Sequence, residues 1–138
     1  MNLLDAYALV TFLVGGPAAS QVRAVLREGD AGVAAANLAE ALDVSHRVYG
    51  IPIGRAMAVL EPLFEDALRD VPLDRTIARR AADLRAAHYH RAWRPVSLAD
   101  AVLVASARPG DRIVTSDAHV LAVATAEGIE TLALPEQA

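Results

Sequence analysis

The chain has 138 residues, of which 54% are hydrophobic, and this length and apolar content suit one globular domain spanning residues 1–138. Disulfides, thiolate metal sites and mechanisms that need a lysine amine are excluded, because there is no cysteine and all 13 cationic residues are arginine. The net charge of -4 gives no global basic field for nucleic acid, and no apolar run reaches the roughly 18 residues of a membrane span, so we expect a cytoplasmic protein without a membrane partner.

Short apolar runs alternate with helical patterns, which is typical of parallel strands joined by crossover helices. We predict strands at residues 1–4, 32–36, 71–73, 112–115 and 131–134. Helices are predicted at residues 17–29, 37–50, 53–69 with a break at Pro62, 76–87, 97–107 and 118–127. The apolar stretch 6–14 is too short for a membrane span and lacks the basic flank of a leader. The predicted fold class is therefore α/β, with three layers and a mainly parallel central sheet between helices.

Four acids stand where predicted strands end or the following helices begin. Asp5 ends the first strand, Glu40 lies in the first turn after the second, Asp100 lies in the first turn of the helix opened by Ser97, and Asp117 follows the fourth strand. Because the carboxyl ends of parallel strands meet at one edge of a sheet, we expect these side chains to converge where open α/β folds build their sites.

A cluster of this kind predicts a metal site. Carboxylate oxygens are the ligands that Mg²⁺ prefers, with Mn²⁺ as a substitute, and such a cation would polarise a phosphate. Without a cation the like charges repel one another. Asp100 is the most telling of the four, because it is the only charged residue in the apolar segment 98–107 and a buried lone carboxylate is costly.

Helix capping is the competing interpretation of the same acids. The segments 37–40 and 97–100 both fit a capping box, in which the acid satisfies backbone donors at a helix start. Asp5 alone would be an ordinary turn residue after a strand, and Asp117 an ordinary helix start. The position of all four acids at one edge favours the metal site, and a carboxylate has enough lone pairs to serve both purposes.

With these motifs in hand, the chain resembles the PIN-domain family, and within it the VapC toxins of type II toxin–antitoxin systems. The resemblance rests on four segments in order, Leu3-Leu4-Asp5-Ala6, Asn37-Leu38-Ala39-Glu40-Ala41, Ser97-Leu98-Ala99-Asp100-Ala101 and Ile113-Val114-Thr115-Ser116-Asp117. It implies a ribonuclease in which Asp5, Glu40, Asp100 and Asp117 are the catalytic, metal-binding acids and Thr115 is a nearby hydroxyl. It also implies an RNA substrate, a cognate VapB-like antitoxin whose C-terminal segment covers the active site, and a homodimer.

Several other residues are candidates for contact with the substrate. Tyr7 stands where many VapC-like proteins have a small hydroxyl residue. It either narrows the substrate cleft, or replaces that hydroxyl as a hydrogen-bond donor, or packs at the sheet edge with its hydroxyl in water. Thr115 and Ser116, the two hydroxyl residues before the last acid, are also candidates for contact with the substrate. Arg91 and Arg94 belong to the cationic and aromatic segment 88–94, which suits phosphates and unpaired bases. Within it we predict that Trp93 packs in the core, and the chain's histidines are expected at the surface rather than in a zinc site.

Other classes of function remain as alternatives. An RNA-processing nuclease without a toxin role, or a catalytically silent scaffold that binds RNA or protein, would use the same fold. A phosphoacceptor signalling domain also places aspartates at strand ends, but it normally needs a lysine that this chain lacks. The apolar segment 53–68 is a candidate docking surface for a partner, although an amphipathic helix is more often plain core.

Overall fold

The computed structural model describes residues 1–136, which alternate between strands and helices. The strands are β1 (Asn2–Leu4), β2 (Ala31–Ala34), β3 (Leu68–Val71), β4 (Arg112–Thr115) and β5 (Glu130–Ala133). The helices are α1 (Ala6–Val14), α2 (Ala19–Arg27), α3 (Ala35–Arg47), α4 (Ile53–Leu60), α5 (Arg75–His88), α6 (Leu98–Ser106) and α7 (Ala118–Ala126), and a 3₁₀ helix covers Glu61–Glu65.

The strands form one sheet of five parallel strands in the order β3-β2-β1-β4-β5. From β1 the chain builds outward through β2 and β3, and then returns to build outward on the other side through β4 and β5. The order therefore reverses between β1 and β4, which is the point where parallel α/β sheets open a crevice at their carboxyl edge.

Helices cover both faces of the sheet, because successive strand residues point to opposite faces. Leu4 and Val114 pack with α1 and α2 in one core, whereas Leu3 and Ile113 pack with α5, α6 and α7 in the other. All four of these side chains are fully buried. The expected three-layer α/β/α architecture is confirmed, and the sheet is wholly rather than mainly parallel.

Helix α1 was not predicted, because the stretch that forms it is apolar on almost every side and shows no helical periodicity. Its residues Ala8, Leu9, Val10 and Thr11 are buried, so α1 is a core helix. No single helix in the described part of the chain is long and apolar enough to span a membrane, and α1 with α2 passes that test only as a pair bent by 108°.

The other corrections concern where elements begin and end. Strand β2 stops at Ala34, and α3 begins at the next residue rather than at Asn37. The predicted helix 53–69 is split at Pro62, which lies in the first turn of the 3₁₀ helix because proline has no N–H to donate to an α-helical ladder. As a result β3 begins at Leu68, three residues before its predicted start at Val71.

Candidate active site

All four predicted acids line one cavity at the edge where the strand order reverses. We call it the acidic cavity. Its volume is about 420 Å³, and it is lined by Asp5, Ala6, Tyr7, Glu40, Asp100, Ser116, Asp117, Ala118, His119 and Glu136. The parallel register accounts for the convergence, since Leu4 pairs with Val114 and the residues that follow both strands leave the sheet side by side.

Asp5 lies buried at the bottom of the acidic cavity. It is 6% exposed and begins α1, where its Oδ1 accepts a hydrogen bond from the backbone N–H of Ala8 at 2.8 Å. Its Oδ2 accepts a hydrogen bond from the hydroxyl of Thr115, which is fully buried and in turn accepts one from the backbone N–H of Asp117 at 3.0 Å. Thr115 therefore fixes Asp5 and Asp117 relative to each other.

Asp100 and Asp117 each begin a helix on the rim of the cavity. The capping box expected at Ser97 is confirmed: Asp100 Oδ2 accepts from the Ser97 N–H at 2.9 Å, and the Ser97 hydroxyl accepts from the Asp100 N–H at 3.0 Å. Asp117 Oδ1 accepts from the N–H groups of His119 and Val120 at 2.7 and 3.3 Å. In both acids the backbone bonds occupy only one of the two carboxylate oxygens.

Glu40 reaches the cavity from within α3, and the capping box expected at Asn37 is wrong. The helix begins at Ala35, so Glu40 lies in its second turn, and Asn37 is 1% exposed inside the protein. The Asn37 amide donates to the carbonyl of Ala99 at 3.5 Å. Because Ala99 precedes Asp100 and Asn37 lies one turn before Glu40, this long contact joins the two acid-bearing helices.

The acids disfavour one another's charge. The pKa of Asp5 is raised to about 7, chiefly by burial and to a smaller extent by the charges of Asp100 and Asp117, while hydrogen bonds from Thr115 and Ala8 oppose the rise. Burial also raises the pKa of Glu40 and that of Asp100, with Asp100 adding to the rise at Glu40 and Asp117 to the rise at Asp100. The cavity thus carries a negative potential that a bound cation would relieve.

The donor chemistry of the cavity fits a hard divalent cation, since carboxylates line it together with one imidazole and no thiol or amine. Within residues 1–136, however, no three acidic or imidazole side chains are close enough together to hold one ion. Backbone hydrogen bonds at the starts of α1, α6 and α7 hold one carboxylate oxygen of each of Asp5, Asp100 and Asp117. Binding a cation therefore requires side-chain movement from this arrangement.

The remaining candidates for substrate contact are divided between two places. Tyr7 and Ser116 line the acidic cavity, and the Tyr7 hydroxyl donates to the carbonyl of Pro135 at 2.7 Å. Arg91 and Arg94 do not line the cavity. They belong to a turn that joins α5 to α6.

Trp93, in that same turn, is 62% exposed, so its predicted place in the core is wrong. His90 and Arg94 pair their backbones across the turn and carry the ring outward, while Val96 fills the core in its stead.

Two residues of the cavity were missed in the sequence. His119 is among the histidines predicted to lie at the surface, but it lies two residues after Asp117 in the first turn of α7 and lines the cavity. Glu136 follows β5, and a strand parallel to its neighbours delivers the acid that follows it to the same edge. Both could have been found by extending the argument used for Asp117.

Comparison with known proteins agrees with this geometry. A model of the PIN domain matches residues 3–124. The chain belongs to the PIN-domain family. Membership of this family implies nuclease activity, and the acidic cavity is the candidate active site. No curated protein matches the chain in sequence.

Solved structures share the fold at low sequence identity. FitAcB from Neisseria gonorrhoeae is 22% identical, with a TM-score of 0.61 and 96% of each chain covered. FitAB bound to the IR36 DNA fragment is 20% identical, with a TM-score of 0.65, and the match covers 96% of this PIN-domain chain and 94% of that one. These similarities support the fold assignment.

Proposed function

We propose that the protein is a metal-dependent endoribonuclease and the toxin of a toxin–antitoxin pair. The observation that carries the proposal is the convergence of Asp5, Glu40, Asp100 and Asp117 on one cavity of a PIN-domain fold. These four acids would hold Mg²⁺, or Mn²⁺ in its place. The cation would supply positive charge to the oxygens of a phosphodiester.

The chain's own residues would prepare the site for that charge. Hydrogen bonds from the Thr115 hydroxyl and the Ala8 N–H hold Asp5 at the bottom of the cavity, so one acid is in position before the substrate arrives. Asp100 and Asp117 keep a second oxygen clear of their backbone bonds. Ser116 and Tyr7 stand beside these acids as candidate contacts for the sugar-phosphate chain.

A cognate VapB-like antitoxin is the proposed partner. The solved FitAB is bound to a DNA fragment, whereas this chain has a net charge of -4 and no basic field of its own. Since DNA binding depends on neutralising phosphates, contact with DNA would have to come from a basic partner. The resemblance to VapC toxins also leads us to propose a homodimer.

Cleavage of a single-stranded RNA by the purified protein, freed of any antitoxin, tests the enzymatic part. Activity should disappear in chelator, return with Mg²⁺ or Mn²⁺, and leave 5'-phosphate and 3'-hydroxyl ends. Asp100→Asn, which keeps a polar side chain in the capping position, should be inactive but folded. Full activity in chelator, or a cyclic phosphate product, would replace this mechanism by a metal-free one.

The toxin role is tested separately in cells. Expression of the wild-type chain should arrest growth, and Asp100→Asn at the same protein level should relieve the arrest. Wild-type protein that cleaves RNA in vitro but leaves growth unaffected would favour the alternative of a processing nuclease. A silent scaffold would show neither effect, although nothing in a scaffold requires four acids in one cavity.

A further inference from the structure

The turn between α5 and α6 carries two exposed aromatic side chains, Tyr89 and Trp93. We call residues 89–94 the aromatic turn. The backbones of His90 and Arg94 exchange two hydrogen bonds of 2.9 Å each, which close the turn. Within it, the N–H of Ala92 donates to the Nδ1 of His90 at 3.1 Å. These bonds fix the turn by its own short-range contacts.

The turn presents flat rings to solvent. The Trp93 indole stacks on the His90 imidazole with ring centroids 4.5 Å apart and planes 17° from parallel, yet Trp93 is still 62% exposed. Tyr89 is 43% exposed at the other end of the turn. Exposed rings of this size, held in one orientation, lose little entropy on binding and are the usual platforms on which unpaired bases stack.

Positive charge accompanies the rings. The guanidinium of Arg94 lies 5.7 Å from the centroid of the Trp93 ring, and that of Arg85 lies 4.2 Å from the Tyr89 ring while donating to the carbonyl of Val96. Arg91 is exposed. Guanidinium groups beside aromatic rings suit a ligand that has both phosphates and bases.

These arginine charges are not neutralised by acids. In the part of the chain that the structure describes, Arg85, Arg91 and Arg94 form no ion pair with a carboxylate, unlike Arg47 and Arg79, which pair with Asp43 and Asp83. Just before the turn, the carboxylate of Glu127 accepts from His88 at 2.9 Å. A protein with a net charge of -4 thus places the unpaired charges of Arg91 and Arg94 beside exposed aromatic rings.

We propose that the aromatic turn is a docking surface for single-stranded nucleic acid, separate from the acidic cavity, with an unpaired base stacked on Trp93 and phosphates bound by Arg91 and Arg94. The proposal rests on the proposed ribonuclease function and deepens it by assigning the substrate a second contact outside the acidic cavity. Only Pro95 and Val96 lie between Arg94 and Ser97, the cap of the helix that bears Asp100. An RNA bound on the turn would therefore lie close in the chain to α6, the helix that carries Asp100. The positive charge of the turn would offset the repulsion between the acidic cavity and a polyanion.

Trp93 is the only tryptophan of the chain, so its intrinsic fluorescence reports on the turn directly. The titration uses full-length Asp100→Asn in chelator, so that no cleavage occurs, and a mixed-sequence single-stranded RNA oligonucleotide of about ten nucleotides. We expect saturable quenching of Trp93, weakened by salt as phosphate contacts require, and much weaker quenching by a duplex of the same sequence.

Variants separate the turn from general charge effects. With a fluorescently labelled RNA, Trp93→Ala should bind roughly tenfold more weakly, the range expected for loss of one stacked base. Arg91→Gln and Arg94→Gln should lower both affinity and salt dependence, whereas Arg55→Gln, an exposed arginine on α4, should change neither beyond its small share of the net charge. Thermal melts check that each variant is folded.

Binding of labelled RNA without any change in Trp93 fluorescence, together with unchanged affinity of Trp93→Ala, would overturn the proposal. A Trp93 spectrum that responds to a protein partner and not to RNA would overturn it in favour of a protein-docking surface. The ribonuclease proposal can fail independently: Trp93 quenching by RNA without metal-dependent cleavage by the wild type would leave the docking surface standing and remove the enzyme.

Discussion

Thr115 ends β4, and Asp5 directly follows β1, the neighbouring parallel strand. The fully buried hydroxyl of Thr115 donates a hydrogen bond to the carboxylate of Asp5. The same hydroxyl accepts from the N–H of Asp117. One buried oxygen thus positions two of the acids at the point where the strand order reverses. Since Thr115 has no exposed surface, it acts on the site through Asp5 and Asp117 rather than by touching a substrate.

Replacing Thr115 with valine should therefore destabilise the protein. The shape of the side chain is kept, but Asp5 loses a donor and the Asp117 N–H loses its acceptor in a buried place, a change that typically costs about 1–3 kcal/mol. Urea denaturation in chelator measures the loss of unfolding free energy. Thr115→Ser, which keeps the hydroxyl, should recover most of it, and equal stability of the valine variant and the wild type would show that the hydrogen bonds contribute nothing.

The pH dependence of stability should reveal the buried Asp5. Its pKa rises from 3.8 to about 7 on folding because of burial, so the folded state binds the proton more tightly than the unfolded state. The contribution of Asp5 is therefore most favourable below about pH 4 and is lost as the pH rises towards 7, by up to about 4 kcal/mol. Glu40 and Asp100, whose pKa values are also raised, act in the same direction.

Asp5→Asn isolates this contribution, because asparagine can still begin α1 but does not titrate. Unfolding free energies of both proteins, measured in chelator from pH 4 to 8, give a difference curve that cancels the titration of groups far from the site. We expect the wild type to lose stability relative to the variant as the pH rises. A flat difference curve would mean that Asp5 ionises in the folded state as easily as in water.

The sequence predicted the edge of the sheet that bears the site, because Asp5 and Asp117 follow apolar strands directly and Asp100 follows a serine cap. Those are short-range signals. Glu40 was predicted at the correct edge, but the helix start assumed at Asn37 is wrong. Asn37 is buried and donates to the carbonyl of Ala99 instead of capping a helix. The burial of Asn37 depends on the packing of α3 against α6, which the local sequence does not encode.

Longer-range effects explain the other errors. Trp93 is exposed because the His90–Arg94 backbone pair closes a turn, and composition alone assigns a tryptophan to the core. Helix α1 is not predicted from the sequence because it is buried on most sides. Its apolar residues therefore do not alternate with polar ones at the helical period that identifies a surface helix.

Tyr7→Phe tests the bond that holds the segment after β5 beside the cavity. The variant loses the hydrogen bond to the Pro135 carbonyl, which lies at the surface, so we expect a loss of unfolding free energy of less than about 1 kcal/mol. The local effect should be larger: the Leu134 amide, which donates to the Thr115 carbonyl at 2.8 Å, should exchange its hydrogen faster than in the wild type. Unchanged exchange at Leu134, measured by NMR, would show that the Tyr7 bond does not secure this segment.

Asp117→Asn distinguishes a metal-binding acid from a helix cap, because the two roles respond oppositely to loss of charge. Asparagine can still accept from the N–H groups of His119 and Val120, so the cap is kept and charge is the main change. In chelator, relief of repulsion with Asp100 should stabilise the variant by on the order of 1 kcal/mol, and it should melt at or above the wild type.

Addition of Mg²⁺ should reverse that order. An ion that binds only the native state stabilises it by RT ln(1 + [L]/Kd), about 2.7 kcal/mol at a hundredfold excess over Kd, and the variant, with one ligand weakened, should gain much less. Asp66→Asn, an exposed acid outside the cavity, is the matched control and should show the wild-type Mg²⁺ shift. Equal Mg²⁺ shifts for Asp117→Asn and the wild type would assign Asp117 to capping alone and remove it from the metal site.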